Sequence, residues 1–506
     1  MRNSLASRRR LVVILLPVLI CILGVKVIAE AIPSTALVAA TPAIAPIANT
    51  APTPVISAAP APPVAVHSTP AERAQSAFGL VMFLVLAWLI GQLRRAPKRI
   101  PLRTIGWGLF FMFFFGWLVL KHSSVLYGIT QAVWALLGFA GQGASILFGD
   151  LTKGTGAPVT SETGMLIGYA AHVGYFAFFV LPTIIFFSCL IAVLYHIGIM
   201  QYVIQIVAWC MSKTMGTSGA ETLSAVANIF VGQAESPLII KPLLPACTMS
   251  EVMVIMTAGF ANIASGVLGL YAVWLSPYVL NAGGHLACRC FMSAPGALLV
   301  AKLIVPETEQ PQTAAGVEFQ VVRTDSNLVD AATRGTADGL HIAMNVAAML
   351  ISFTALVAMT DAFLGWVSVA THLATASHPL TLEVIFGWVF APLAWLAGIK
   401  WSECQAVGSL LGIKTVLNEL IAYSQMKDQF AAAAANGTTF LSPRSALLTT
   451  YALCGFANFA SIGIQVGGIS AMAPTRRHDL ARLGIWAMVG GAISTLMAAC
   501  IVGILI

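Results

Sequence analysis

Charge is scarce in this 506-residue chain: only 9% of it is Asp, Glu, Lys or Arg. Soluble domains carry about a quarter, so the chain cannot clothe a water-facing surface of ordinary size. Its nine cysteines are scattered through apolar runs, with Cys288-Arg289-Cys290 the only close pair. No second pair or histidine frame accompanies them, which argues against a zinc site or a disulfide framework. The glycine-bearing stretch 149–164 contains Lys153 but lacks the Gly-Lys-Ser/Thr of a phosphate-cradling loop, so nothing points to a nucleotide-driven pump. A nucleophile–base pair and a metal cluster are missing too. That weakens the alternative of an intramembrane enzyme such as a lipid-modifying transferase.

What is abundant is apolar sequence, at 58% of residues. Arg8-Arg9-Arg10, an apolar run from Leu11 to Val25, and Ala29-Glu30-Ala31 make residues 1–31 a signal peptide or uncleaved signal anchor. Residues 32–74 are mainly an Ala/Pro-rich tether without helical or strand period. Beyond it, segments long enough to span a bilayer recur near 75–93, 104–121, 171–195, 249–275, 284–305, 340–369, 441–472 and 480–506. Two more apolar stretches, 205–245 and 383–425, are interrupted by polar residues, prolines or glycines and read as re-entrant hairpins. The expected organisation is N-terminal membrane helices over 75–200 and a transport core over 201–506. The five Lys or Arg residues of the loop 94–103 place it in the cytoplasm, and eight crossings then put 306–336 and 474–482 there as well.

One seven-residue string occurs twice. Gly259-Phe260-Ala261-Asn262-Ile263-Ala264-Ser265 returns as Gly455-Phe456-Ala457-Asn458-Phe459-Ala460-Ser461, and the two copies cross the membrane in opposite directions. Each follows a hairpin with a lone glutamate, Glu235 and Glu419. A carboxylate at that depth is costly and marks a functional site. Paired halves with interrupted spans mark a carrier whose site lies between the repeats. Each reading has a plainer rival. Small residues recur where helices pack closely, Lys241 can pair with Glu235, and Lys414 can pair with Glu419. Against packing alone stands the asparagine at the centre of each copy, whose amide can ligate a cation or hold a hydroxyl. The stretch from Asn228 through Gly232-Gln233-Ala234-Glu235 adds amides, free backbone groups and a carboxylate within one hairpin tip.

At these motifs the chain resembles the concentrative nucleoside transporters, which are cation-coupled nucleoside symporters. The likeness covers residues 75–506 and rests on several runs. They are Gly232-Gln233-Ala234-Glu235-Ser236-Pro237-Leu238, Leu298-Leu299-Val300-Ala301-Lys302 with Val305-Pro306-Glu307-Thr308-Glu309, Gly408-Ser409-Leu410-Leu411-Gly412, Asn418-Glu419 and Tyr451 to Gly463. The resemblance implies an all-α polytopic membrane protein with eight transmembrane helices, two re-entrant hairpins and an inverted repeat, assembled as a homotrimer with interfacial helices. It implies that Gln233 and Glu235 contact the nucleobase and that Val267 lines it. Glu419, Asn458 and Ser461 would hold the ribose, with Phe456 beside them. The sodium ligands implied are Asn228, the Val231 carbonyl, Asn262 and the Ile263 carbonyl. Ala234 and Asn262 stand where the family usually has Thr or Ser.

The function expected is therefore nucleoside uptake across the inner membrane by alternating access. Sodium is the expected coupling ion, a proton the alternative, and no organic cofactor takes part. Nucleoside, lipid and further copies of the chain are the expected partners; nucleic acid is not.

Overall fold

The computed structural model describes residues 68–94, 100–152, 158–160, 166–169, 176–233, 235–313, 325–371 and 380–506. The signal-like segment and most of the tether lie outside the described residues. The first helix, α1 (Pro70–Leu93), starts earlier than the expected span. Thr69 and Glu72 form a capping box there, with proline at the first helical position. Next come α2 (Leu102–Lys121) and α3 (Ser123–Phe148). The sequence reading places no span at 123–148, yet α3 is long and apolar enough to cross a membrane. Pro158–Thr160 and Leu166–Tyr169 pair as antiparallel strands, the one strand pair among the described residues. Then α4 (Phe176–Ile197) bends by 77° into α5 (Ile199–Met215) at Gly198, which sits at φ +95°.

The first re-entrant unit enters as α6 (Gly219–Ala227), turns from residue 228 onward, and returns through 3₁₀ turns at Ser236–Ile240 and Leu244–Ala246. Pro237 and Pro245 lie in that return limb and withhold the N–H groups a regular helix needs. The expected span 249–275 is two helices, α7 (Met249–Ala261) and α8 (Ser265–Leu275), and α9 (Ala282–Ile304) follows unbroken. The long α10 (Leu328–Ala370) starts before residue 340. Asn327 accepts from the Asp330 N–H at 2.9 Å, and Arg334 pairs with Asp325 at 2.6 Å and Asp338 at 3.2 Å. These bonds carry a helix through sequence too polar to read as a span.

After α10 the same series of elements repeats. α11 (Leu382–Leu396) packs along α12 (Cys404–Val416), and α12 breaks at Leu417–Asn418 before α13 (Glu419–Ala435). α11, like α5, is a separate helix before the re-entrant limb, so each hairpin proper is narrower than the interrupted stretch in sequence. The expected span 441–472 divides into α14 (Pro443–Leu453) and α15 (Phe459–Met472), and α16 (Arg477–Leu505) closes the chain. Both breaks fall in the repeated string.

A buried cation stands near the base of each hairpin. Lys302, in the last turn of α9, binds Glu221 at 2.8 Å, Glu307 at 3.2 Å and the Ser250 hydroxyl at 2.9 Å. The Ser218 hydroxyl donates to Glu251 at 2.5 Å, which ties the starts of α6 and α7 together. At the second base Arg444 donates to the Ser76 hydroxyl at 2.9 Å, the Glu72 carbonyl at 3.1 Å and the Gly398 carbonyl. Desolvated charges are tolerated when every donor finds an acceptor of this kind.

Candidate functional site

The two copies of the string meet where their helices are interrupted. The Phe456 N–H donates to the Asn262 backbone carbonyl at 3.0 Å, so break touches break. The glycines that open the strings stand at close approaches. A Cβ on Gly259 would lie 2.6 Å from Gln465 Nε2, and one on Gly455 would lie 3.0 Å from the Phe260 carbonyl oxygen. Packing is thus part of why the small residues recur, but it leaves the asparagines unexplained.

Identical letters do different work here. Asn458 is the N-cap of α15, and its side-chain carbonyl accepts from the Ser461 N–H at 2.8 Å. Its amide nitrogen donates to Glu419 at 3.4 Å. Asn262 stands at the C-cap of α7 and does not N-cap α8, which resumes only at Ser265 behind Ala264. The Asn262 amide nitrogen donates to the Asn228 backbone carbonyl, while its side-chain oxygen is buried without a partner. Asn228, at the end of α6, donates from its own amide to the Ala258 carbonyl at 2.6 Å. Val231 and Ile263 are buried beside these groups. An orphaned amide oxygen among ends of broken helices suits a hard cation such as sodium, which takes oxygen donors.

The second cluster centres on Glu419, the first residue of α13, which is buried. The Tyr271 hydroxyl donates to its carboxylate at 2.9 Å from α8, opposite the Asn458 amide. The Tyr271 and Tyr423 rings lie 4.4 Å apart, and Tyr423 donates to the Thr450 carbonyl at 2.6 Å. A third group joins the first hairpin tip to α15. The Gln233 amide nitrogen donates to the Ser461 hydroxyl at 3.2 Å, and Gln465 donates to the Gln233 side-chain carbonyl at 3.0 Å. Gln233, Ser461, Asn458 and Glu419 thus stand in one chain of contacts, with Phe456 and Asn262 linked to it through the break. Val267 is buried on α8, where it offers an apolar side chain. Glu235 is exposed and turned back on its own hairpin, accepting from the Gly232 N–H at 3.2 Å. Ala234 lies outside the described residues.

Neither structural ion pair forms. Among the described residues Glu235 has no bridge to Lys241. Lys414 gives its hydrogen bonds to the Ala452 carbonyl at 2.8 Å and the Thr495 hydroxyl at 3.3 Å. That lysine therefore caps the C-terminal end of α14, just before the second break. Arg289 does the same for α7, donating to the Ala261 carbonyl at 2.6 Å just before the first. Cations at helix C-termini satisfy carbonyls that the interruption strands and favour the helix dipole. Sequence reasoning missed Arg289, Tyr271 and Gln465. Only Gln465 leaves a trace there, as a polar residue one helical turn after Ser461 on the same face.

Comparison with known proteins decides the family. A model described as the C-terminus of Na+ dependent nucleoside transporters matches residues 285–503, and the corresponding N-terminal model matches 78–151. A gate model described as nucleoside recognition matches 177–277. The chain is 40% identical to the uncharacterized transporter YutK of Bacillus subtilis, over 85% of this chain and 98% of that protein. It belongs to the concentrative nucleoside transporter family. The sodium/nucleoside cotransporter 1 of Mus musculus is 38% identical over 86% of this chain, which spans 64% of that longer protein. Mouse solute carrier family 28 member 3 is 37% identical, and the chain spans 58% of it. Among solved structures, CNTnw in an inward-facing substrate-bound state superposes with a TM-score of 0.74 at 39% identity, covering 85% of this chain and 98% of that one. As a member of this family the protein is a multi-pass membrane transporter and not an enzyme.

Proposed function

We propose that this member of the family takes up nucleosides across the inner membrane by sodium-coupled alternating access, as a homotrimer of protomers with eight spans and two re-entrant hairpins. The observation that carries the reading is the meeting of the two breaks. It sets a buried carboxylate with amide and hydroxyl groups on one side and an unpartnered amide oxygen on the other. The first cluster suits a ribose, whose hydroxyls need both donors and acceptors in a dry cavity. Glu419, Asn458 and Ser461 fill that role, with Phe456 alongside. Gln233 faces the nucleobase, Val267 lines it, and Glu235 joins them once a substrate draws it from its hairpin. Asn262 and Asn228, with the Val231 and Ile263 carbonyls, receive sodium.

No covalent step is involved: the two ligands bind, and the loaded core changes the side to which it opens. The test is uptake of labelled uridine and adenosine into proteoliposomes. An inward sodium gradient should drive accumulation above the external concentration, and a proton gradient alone should not. Accumulation that follows protons and ignores sodium overturns the ion assignment. No accumulation under either gradient overturns the transport reading.

A further inference from the structure

We infer that Gln465 is a positioning residue that sets which end of the Gln233 amide faces the nucleobase, and so selects for bases that present a carbonyl there. This rests on the nucleoside reading above and deepens it.

The Met256 carbonyl can only accept, and Gln465 approaches it at 3.2 Å, so the atom facing it is the amide nitrogen. The same nitrogen lies 3.0 Å from the Gln233 side chain, so Gln233 must turn its carbonyl toward Gln465. The Gln233 NH₂ is left on the other side, where one hydrogen goes to the Ser461 hydroxyl at 3.2 Å. The second hydrogen is free for a ligand. Gln465 is fully buried, and its amide nitrogen lies close against α7, 2.6 Å from where a Cβ on Gly259 would stand. The opposite orientation of Gln465 would set two carbonyl oxygens face to face at Met256. Gln233 therefore offers the base only a donor. Uracil and hypoxanthine present an exocyclic carbonyl where cytosine and adenine present an amino group.

The test compares the KM of uridine with that of cytidine, and of inosine with that of adenosine, in proteoliposomes under a fixed sodium gradient. The unaltered protein should favour the carbonyl base of each pair by about tenfold, the scale of one hydrogen bond replaced by a donor–donor clash. Gln465→Met keeps the length but not the amide; Gln465→Asn keeps the amide but falls short of Gln233. Both release Gln233 to flip, so both should bring the ratios toward one by improving the affinity for cytidine and adenosine. Half-saturation by sodium should stay within about twofold, since Gln465 gives its hydrogen bonds to Gln233 and Met256 and none to Asn228 or Asn262. A packing role alone would weaken both members of each pair together, and that result in either variant overturns the inference. An unaltered protein that treats the paired bases alike overturns it too. Absence of any nucleoside uptake in the unaltered protein would instead strike the transport reading itself.

Discussion

Asn262 and Asn458 occupy the same place in the same string, yet one leaves its side-chain oxygen free and the other spends it capping its own helix. Their substitutions should therefore diverge. Asn262→Ala should raise the sodium concentration for half-maximal uptake and leave nucleoside affinity at saturating sodium nearly unchanged. Asn458→Ala should lose nucleoside affinity even in saturating sodium, because it removes both the cap on α15 and a donor to Glu419. Sodium titrations of uptake at several nucleoside concentrations separate the two; matching phenotypes would mean that the asparagines share one role. Glu419 gives a second check. Hydrogen bonds to a charged group contribute about 1.5–3 kcal/mol, so Glu419→Gln should weaken nucleoside binding roughly ten- to a hundredfold. Tyr271→Phe should cost about tenfold, since it removes one donor to that carboxylate. Binding to detergent-purified protein reads both, and near-normal affinity in Glu419→Gln would remove the carboxylate from the site.

Among elements, the broken helices show most clearly what a sequence reveals. The repeated string drew attention to these positions, because Asn262 and Asn458 place amides inside the runs 249–275 and 441–472, although each run reads as one continuous span. What holds the breaks was not legible. Arg289 lies 28 positions from the carbonyl it caps and Lys414 lies 38 from its own, so no local pattern records either contact. Lys414 invites pairing with nearby Glu419, and only the fold reveals that a helix end competes for it. The helix α3 escaped notice for a compositional reason: Gly128, Gly138, Gly141 and Gly143, with Gln131 and Gln142, dilute its apolar signal. The start of α10 escaped because its first turns are polar and are held by a cap and ion pairs rather than by apolar burial. The caps yield a prediction of their own. Arg289→Met and Lys414→Met each strand a buried carbonyl, a loss of about 1–3 kcal/mol. Both should lower the apparent melting temperature in detergent, Arg289→Met with weakened sodium dependence and Lys414→Met with weakened nucleoside binding. An unmoved melting temperature in both would show that the caps hold nothing.

For the whole molecule, the contact between the breaks joins the proposed sodium cluster and the proposed nucleoside cluster in one connected structure. Coupling between two ligands is reciprocal by thermodynamic necessity. Sodium should tighten nucleoside binding by the same factor by which nucleoside tightens sodium, and calorimetric titration of each ligand with and without the other measures both factors. Independent binding would mean that coupling arises only in the conformational change. The two pinned bases bear on this as well. Lys302 holds the first hairpin at its root through Glu221, and Ser442 holds the second by donating from its N–H and hydroxyl to Glu403 at 2.9 and 3.0 Å, so rearrangement should be directed to the tips and the breaks.

The bond from Phe456 to Asn262 then acquires a use beyond holding the strings together. Its hydrogen is one atom on one peptide, and its bond to Asn262 lasts only while the two strings touch. Deuterium replaces such a hydrogen no faster than the contact opens. The Phe456 amide is thus a clock for separation of the halves, readable in the unlabelled protein by mass spectrometry of the peptide spanning the second break. Sodium with nucleoside should slow it, and Asn262→Ala, which keeps the backbone carbonyl but loses the side-chain tie to the first hairpin, should quicken it.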